Sequence, residues 1–90
     1  MKDTLEANVW YEVDGERIEF QHLFPKSTLL GWGRAGLWDW EWTGLAETAL
    51  GEWEAAGRLC PDKITVHVDQ EARSYAVKVA LVRKVSVKRI

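Results

Sequence analysis

Residues 5–13 alternate strictly, with Leu5, Ala7, Val9, Tyr11 and Val13 on one side and Glu6, Asn8, Trp10 and Glu12 on the other, and then run into Asp14-Gly15. A period of two is the mark of a half-buried strand. Asp-Gly is the short signal for a type I′ hairpin, whose two central residues both need positive φ. The returning strand is expected from Glu16 to about Leu23. A two-residue turn fixes the register: Val13 meets Glu16, Tyr11 meets Ile18, Val9 meets Phe20 and Ala7 meets His22, while Glu12 faces Arg17 and Asn8 faces Gln21. Apolar residues then oppose apolar ones and a charge pair forms across the strands. An antiparallel hairpin with one apolar face needs a second layer to cover it.

That layer is legible further on. Trp38, Trp42, Leu45, Ala46, Ala49, Trp53 and Ala56 fall on one stripe at helical spacing, with Glu47 and Glu54 opposite. Asp39 and Thr43 are both acceptable N-caps, Gly57 suits the position after the last turn, and Pro61 prevents resumption. Beyond Pro61 the period returns to two. Ile64, Val66 and Val68 alternate with polar residues, and Tyr75, Val77, Val79, Leu81, Val85 and Val87 share one parity. No Gly, Pro, Asn or Asp interrupts residues 75–90, which predicts one long strand, bulged near Arg83, paired to its neighbour through a hairpin closed at Asp69–Ser74. The stretch from Phe24 to about Thr43 has neither period and carries Gly31, Gly33 and Gly36, so it reads as a long loop. The expected fold is α+β: a single domain over residues 1–90 in ββαββ order, a four-stranded antiparallel sheet with one helix packed on one face.

Ninety residues permit such a core without disulfides. The lone Cys60 has no intramolecular partner, Met1–Glu6 lacks the apolar centre of a secretion signal, and no apolar run approaches membrane-spanning length. A cytoplasmic setting is the expectation. Charge is uneven: residues 1–57 carry four basic and eleven acidic groups, residues 58–90 eight and three. The polarity either steers a charged partner or reflects two faces of one sheet attracting each other.

Five of the six tryptophans lie between Trp32 and Trp53. Trp38, Trp42 and Trp53 sit on the helical stripe and need no function beyond the core. Trp32 and Trp40 fit no apolar face, and Trp10 breaks the parity of its strand. Tryptophan and arginine dominate the energetic centres of interfaces, so Trp32, Arg34, Trp40 and Trp10 are the candidate protein-binding residues. For Trp10 the alternative is cross-strand packing with a cation–π contact from Arg17. Gly31-Trp32-Gly33-Arg34-Ala35-Gly36 matches the dinucleotide fingerprint, but it follows an antiparallel hairpin rather than opening a βαβ unit. No cofactor is expected. His22 and His67 lack a companion nearby in sequence, and His22 shares the apolar parity of its strand, where a structural histidine is the plainer reading. The single cysteine follows a helix end, where nothing lowers its pKa. Neither catalytic residues nor a metal site can be assembled, and an enzyme is not expected.

The basic C-terminal strand supplies the alternative, nucleic-acid binding through Lys78, Arg83, Lys84, Lys88 and Arg89. Against it stand an acidic overall balance and the lack of interleaved aromatics. A third reading is homo-oligomerisation through Trp10 and the open sheet face. The compact α+β plan, acidic composition and excess of tryptophan resemble, in general character, small phage or mobile-element proteins that bind and inhibit a host complex. That resemblance implies a non-enzymatic inhibitor or adaptor, with a protein partner met by the glycine–tryptophan segment and the helix start.

Overall fold

A computed structural model describes residues 6–79 and 85–90. Its elements are β1 (Val9–Val13), β2 (Glu16–Glu19), α1 (Lys26–Ala35), α2 (Asp39–Ala55), β3 (Lys63–Val68), β4 (Glu71–Val79) and β5 (Val85–Arg89). The strands form one antiparallel sheet in the order β2-β1-β3-β4-β5. The class is α+β, with five strands and two helices among the described residues where four and one were expected.

The first hairpin has the expected register, Val13 to Glu16, Tyr11 to Ile18 and Glu12 to Arg17. Asp14 and Gly15 both take positive φ, 52° and 81°, as the type I′ turn requires. The return strand ends at Glu19 instead of reaching Leu23, so Phe20 and His22 leave the ladder. A carboxylate from the helix replaces the missing strand partners: Glu52 accepts the backbone N–H of Gln21 at 2.8 Å and of His22 at 2.9 Å. His22 is consequently exposed rather than part of the apolar face.

Three further expectations are corrected. The uninterrupted stretch 75–90 is two strands, not one: β5 folds back on β4, with Val79 opposite Val85 and Val77 opposite Val87. A strand of sixteen residues would extend roughly 50 Å, far beyond its five- and six-residue neighbours; doubling back gives its second half a partner. The bulge expected near Arg83 lies outside the described residues. The β3–β4 hairpin closes tightly at Val68–Glu71 around Asp69-Gln70, not at Asp69–Ser74. Asp69 takes φ 55°, donates its N–H to the Asn8 carbonyl at 2.8 Å, and accepts the Asn8 N–H on Oδ1 at 2.9 Å. The register moves along β4 by an even number of residues, so every side chain keeps its face.

The expected loop between Phe24 and Thr43 is the third correction, because most of it is helical. Gly31 and Gly33 lie inside α1, and Gly36, at φ 78°, ends it by donating its N–H to the Trp32 carbonyl. Glycine weakens a helix but does not forbid one. Here Trp32 and the neighbouring Phe24 pack on the core, and the Ala7 N–H donates to the Leu29 carbonyl at 2.9 Å.

The core lies between the sheet and α2. Tyr11, Val13, Ile64, Val66, Val68 and Tyr75 project from the strands, and Trp42, Leu45, Ala46, Ala49 and Trp53 meet them. The helical stripe is as expected except at its two ends, since Ala56 is the exposed C-cap residue and Trp38 also leaves the core. Trp38 is the N-cap residue, just outside the helix, and is 72% exposed. One residue before Asp39, the earlier of the two expected caps, the chain is still extended, and Trp38 is carried away from the core.

Candidate functional site

The residues singled out in the sequence gather only in part. Trp32 and Trp40 come together at the elbow where α1 and α2 meet, across Gly36-Leu37-Trp38. Glu41, in the first turn of α2, organises this corner. Its Oε1 accepts the Trp38 backbone N–H at 3.0 Å, while Oε2 accepts Nε1 of Trp32 at 2.8 Å. The first bond caps α2 and the second ties α1 to it. Trp32 is thereby held half-buried on its edge, against Phe24 with ring centroids 5.5 Å apart.

Either side of Trp32 is hollow. An apolar groove of about 250 Å³ runs between the helices, with Phe24, Thr28 and Trp32 on one wall and Trp40, Gly44, Leu45 and Thr48 on the other. The second cleft, about 340 Å³, lies between Trp32, Leu37 and the turn at Asp69–Glu71, with Trp42 at its base. Trp40 is 73% exposed and stands at the groove's edge. A small domain that leaves Trp38 and Trp40 in water while burying Trp42 to 1% exposure has two large apolar side chains to spare.

The start of α2 is anchored from below. Arg73 of β4 bonds Oδ1 of Asp39 at 2.7 Å and lays its guanidinium 4.8 Å from the Trp42 ring centroid. That bond holds the Asp39 carboxyl below its ordinary range, with a smaller push from Arg89, and raises Arg73. At the other end of the helix Arg58 grips both oxygens of Glu16 at 3.0 Å and covers Trp53 at 3.9 Å, which lowers Glu16 in the same way.

Arg34 and Trp10 do not join the elbow. Arg34 is exposed in the last turn of α1, and two residues along a helix turn it about 200° from Trp32. The two side chains therefore leave α1 in nearly opposite directions. Trp10 lies on the open sheet face. His67 of β3 stacks on it at 3.6 Å and 5°, and Arg17 of β2 covers it at 4.3 Å. Because β2 and β3 flank β1, its two ring faces are covered by its own chain. His67 Nε2 also meets Oε1 of Glu12 at 3.2 Å. This contact joins residues far apart in sequence, and nothing short of the β1–β3 pairing could have revealed it.

Of the basic residues considered for nucleic acid, Arg83 and Lys84 lie outside the described residues. Lys78 takes the register position opposite Ser86, Lys88 stands opposite Ala76, and Arg89 opposite the buried Tyr75. Lys88 thus belongs to the open face and Arg89 to the helix face, so the two do not line one surface. Cys60 is exposed, but partial desolvation of its sulfur, with Glu54 and Asp62 adding to it, pushes the thiol up. Among the described residues no group of three His, Cys, Asp or Glu side chains is placed to hold a metal, and no helix is long and apolar enough to cross a membrane.

Sequence reasoning missed Trp38, Phe24 and Glu41 as parts of the site. The signal for Glu41 was present in the capping-box spacing from Trp38, but an indole at the first position disguised it. Fold and elbow together define a small α+β domain with an aromatic groove between two helices. Comparison with protein-family models, curated proteins and solved structures finds no match to this chain.

Proposed function

We propose that this chain is a non-enzymatic protein-binding module whose contact surface is the elbow between α1 and α2. The observation that carries this reading is the pair of exposed indoles, Trp38 and Trp40, beside the apolar groove walled by Phe24 and Trp32. Aromatic anchors beside an apolar groove are the usual energetic centre of an interface. The bond from Trp32 to Glu41 pre-orders one wall, which reduces the ordering cost of binding. The role fits a small inhibitor or adaptor, of the kind that phage and mobile-element proteins of this composition supply.

A photo-crosslinking residue placed at Trp40, and for comparison at Glu19 on the sheet edge, tests the reading in nuclease-treated extract of the native host. The expected result is a protein adduct from position 40 that unlabelled wild-type chain competes away and a Trp38→Ala, Trp40→Ala chain does not. Equal adducts from both positions, or equal competition by the double variant, would overturn it. Circular dichroism of the double variant verifies that the fold survives.

A further inference from the structure

The elbow continues along α2 as a strip that is poorly suited to the helix itself. Trp40, Gly44, Glu47, Gly51 and Glu54 recur at alternating spacings of four and three, which places them on one outward face. Gly44 and Gly51 have no atom within 4 Å of the point where a Cβ would sit, so nothing in the domain requires glycine at either position. Glycine is the poorest helix former after proline. Glu54 stands in the last turn, where the helix dipole disfavours a carboxylate, and no basic residue accompanies it there. Three choices on one face oppose the stability of their own helix, a pattern that accompanies function.

The strip is also charged in one sense. α2 contains five carboxylates and no basic residue. Three of them are engaged within the domain: Asp39 by Arg73, Glu41 by Trp32 and the Trp38 N–H, and Glu52 by the amides of Gln21 and His22. Glu47 and Glu54 make no hydrogen bond or ion pair through their side chains among the described residues. They are seven residues apart, two helical turns or roughly 10.5 Å.

Building on the protein-binding reading, we propose that the partner presents a basic amphipathic helix to this strip. Its aliphatic side chains enter the groove beside Trp40, its backbone approaches α2 over Gly44 and Gly51, and its lysines or arginines meet Glu47 and Glu54. The absence of Cβ atoms at both glycines lets two helix axes come close, and the two carboxylates select a cation and repel phosphate. Helix-in-groove recognition is a common mode for an amphipathic segment.

The test uses the ¹⁵N-labelled full chain and three synthetic helical peptides of about 20 residues, long enough to hold helix. All three carry leucine on one face; the other face is arginine, glutamine or glutamate. The arginine peptide is expected to move the Trp40 indole signal and the Gly44 and Gly51 amide signals, and to weaken by about fivefold or more between roughly 50 and 500 mM salt. Glu47→Gln with Glu54→Gln is expected to weaken it about fivefold. Gly44→Ala with Gly51→Ala should raise the melting temperature yet weaken binding about tenfold, which separates lost approach from lost folding. Binding of the glutamine peptide within about twofold of the arginine peptide, no shift with any peptide, or undiminished binding by the alanine variant would each overturn the proposal. If the adduct at position 40 forms as expected but arginine gives no advantage, the elbow remains a binding surface and the basic helix is wrong. If no specific adduct forms, both readings fall.

Discussion

Nε1 of Trp32 donates to Oε2 of Glu41 at 2.8 Å, and this bond joins the two helices. It matters because α1 has no buried residue, no side-chain cap at its start and two internal glycines. A helix of ten residues with those handicaps does not stand alone. Replacing Glu41 with alanine removes the cap of α2 and leaves the Trp32 N–H without its acceptor. The expected loss is about 1–3 kcal/mol. Glutamine, whose amide can accept one of the two bonds but not both, should fall between. Urea unfolding measures the total. Hydrogen exchange should quicken in α1 before β3, and unchanged exchange there would remove the latch role.

Two tryptophans on the same helix should respond oppositely to truncation. Trp42 is almost fully enclosed, so Trp42→Ala is expected to cost about 3–5 kcal/mol, a large part of a small domain's stability. Trp40→Ala, in contrast, should change stability by about 0.5 kcal/mol or less. Thermal unfolding of the two variants under identical conditions decides the point.

Gly44 and Gly51 offer a gain in stability. With open space at both positions, each change to alanine should stabilise α2 by about 1 kcal/mol. For a chain of this size that corresponds to roughly 4–8 °C each. A fall in melting temperature would show that the backbone at these positions is tighter than the free space implies.

Acid should weaken the domain through identified carboxyls. Arg73 holds Asp39, and Arg58 holds Glu16, below their ordinary pKa values. A carboxyl with a lower pKa folded than unfolded contributes its stability above the unfolded value. That contribution disappears as pH falls from about 4 through the folded value. The urea midpoint should therefore hold level above about pH 5 and decline below about pH 4. Asp39→Asn should show a shallower acid decline than the wild type. Equal slopes would mean that Asp39 takes no part.

Cys60 should be a slow thiol. Cys60 is exposed, yet partial desolvation of its sulfur and the nearby Glu54 and Asp62 carboxylates raise its pKa, and the thiolate is the reactive form. Alkylation by iodoacetamide at neutral pH should run slower in the folded chain than in urea. A folded-state rate above the unfolded one would contradict this.

Several features could be read without the structure because they depend on neighbours in sequence. The Asp14-Gly15 turn sets its own backbone conformation, and the pairing of Tyr11 with Ile18 follows from it by counting. The stripe from Trp42 to Trp53 needs only the period of a helix. Other features were ambiguous at that range. Residues 75–90 keep the same parity whether they form one strand or two, so periodicity could not reveal that Val77 faces Val87. Gly31 and Gly33 carry a local cost for helix, and tertiary contacts such as the packing of Trp32 on the core and its bond to Glu41 offset that cost.

The tryptophans divide along the same line. Local periodicity determined that Trp42 and Trp53 belong to the core, because a helix must bury one stripe. It misplaced Trp38, since one residue before a helix the chain direction is no longer helical, and that decides which way a side chain leaves. Trp32 beside Trp40, and Trp10 between Arg17 and His67, are contacts between separate elements. Their physical cause is the choice of which strands and helices pack together, and that choice is made by the whole chain at once.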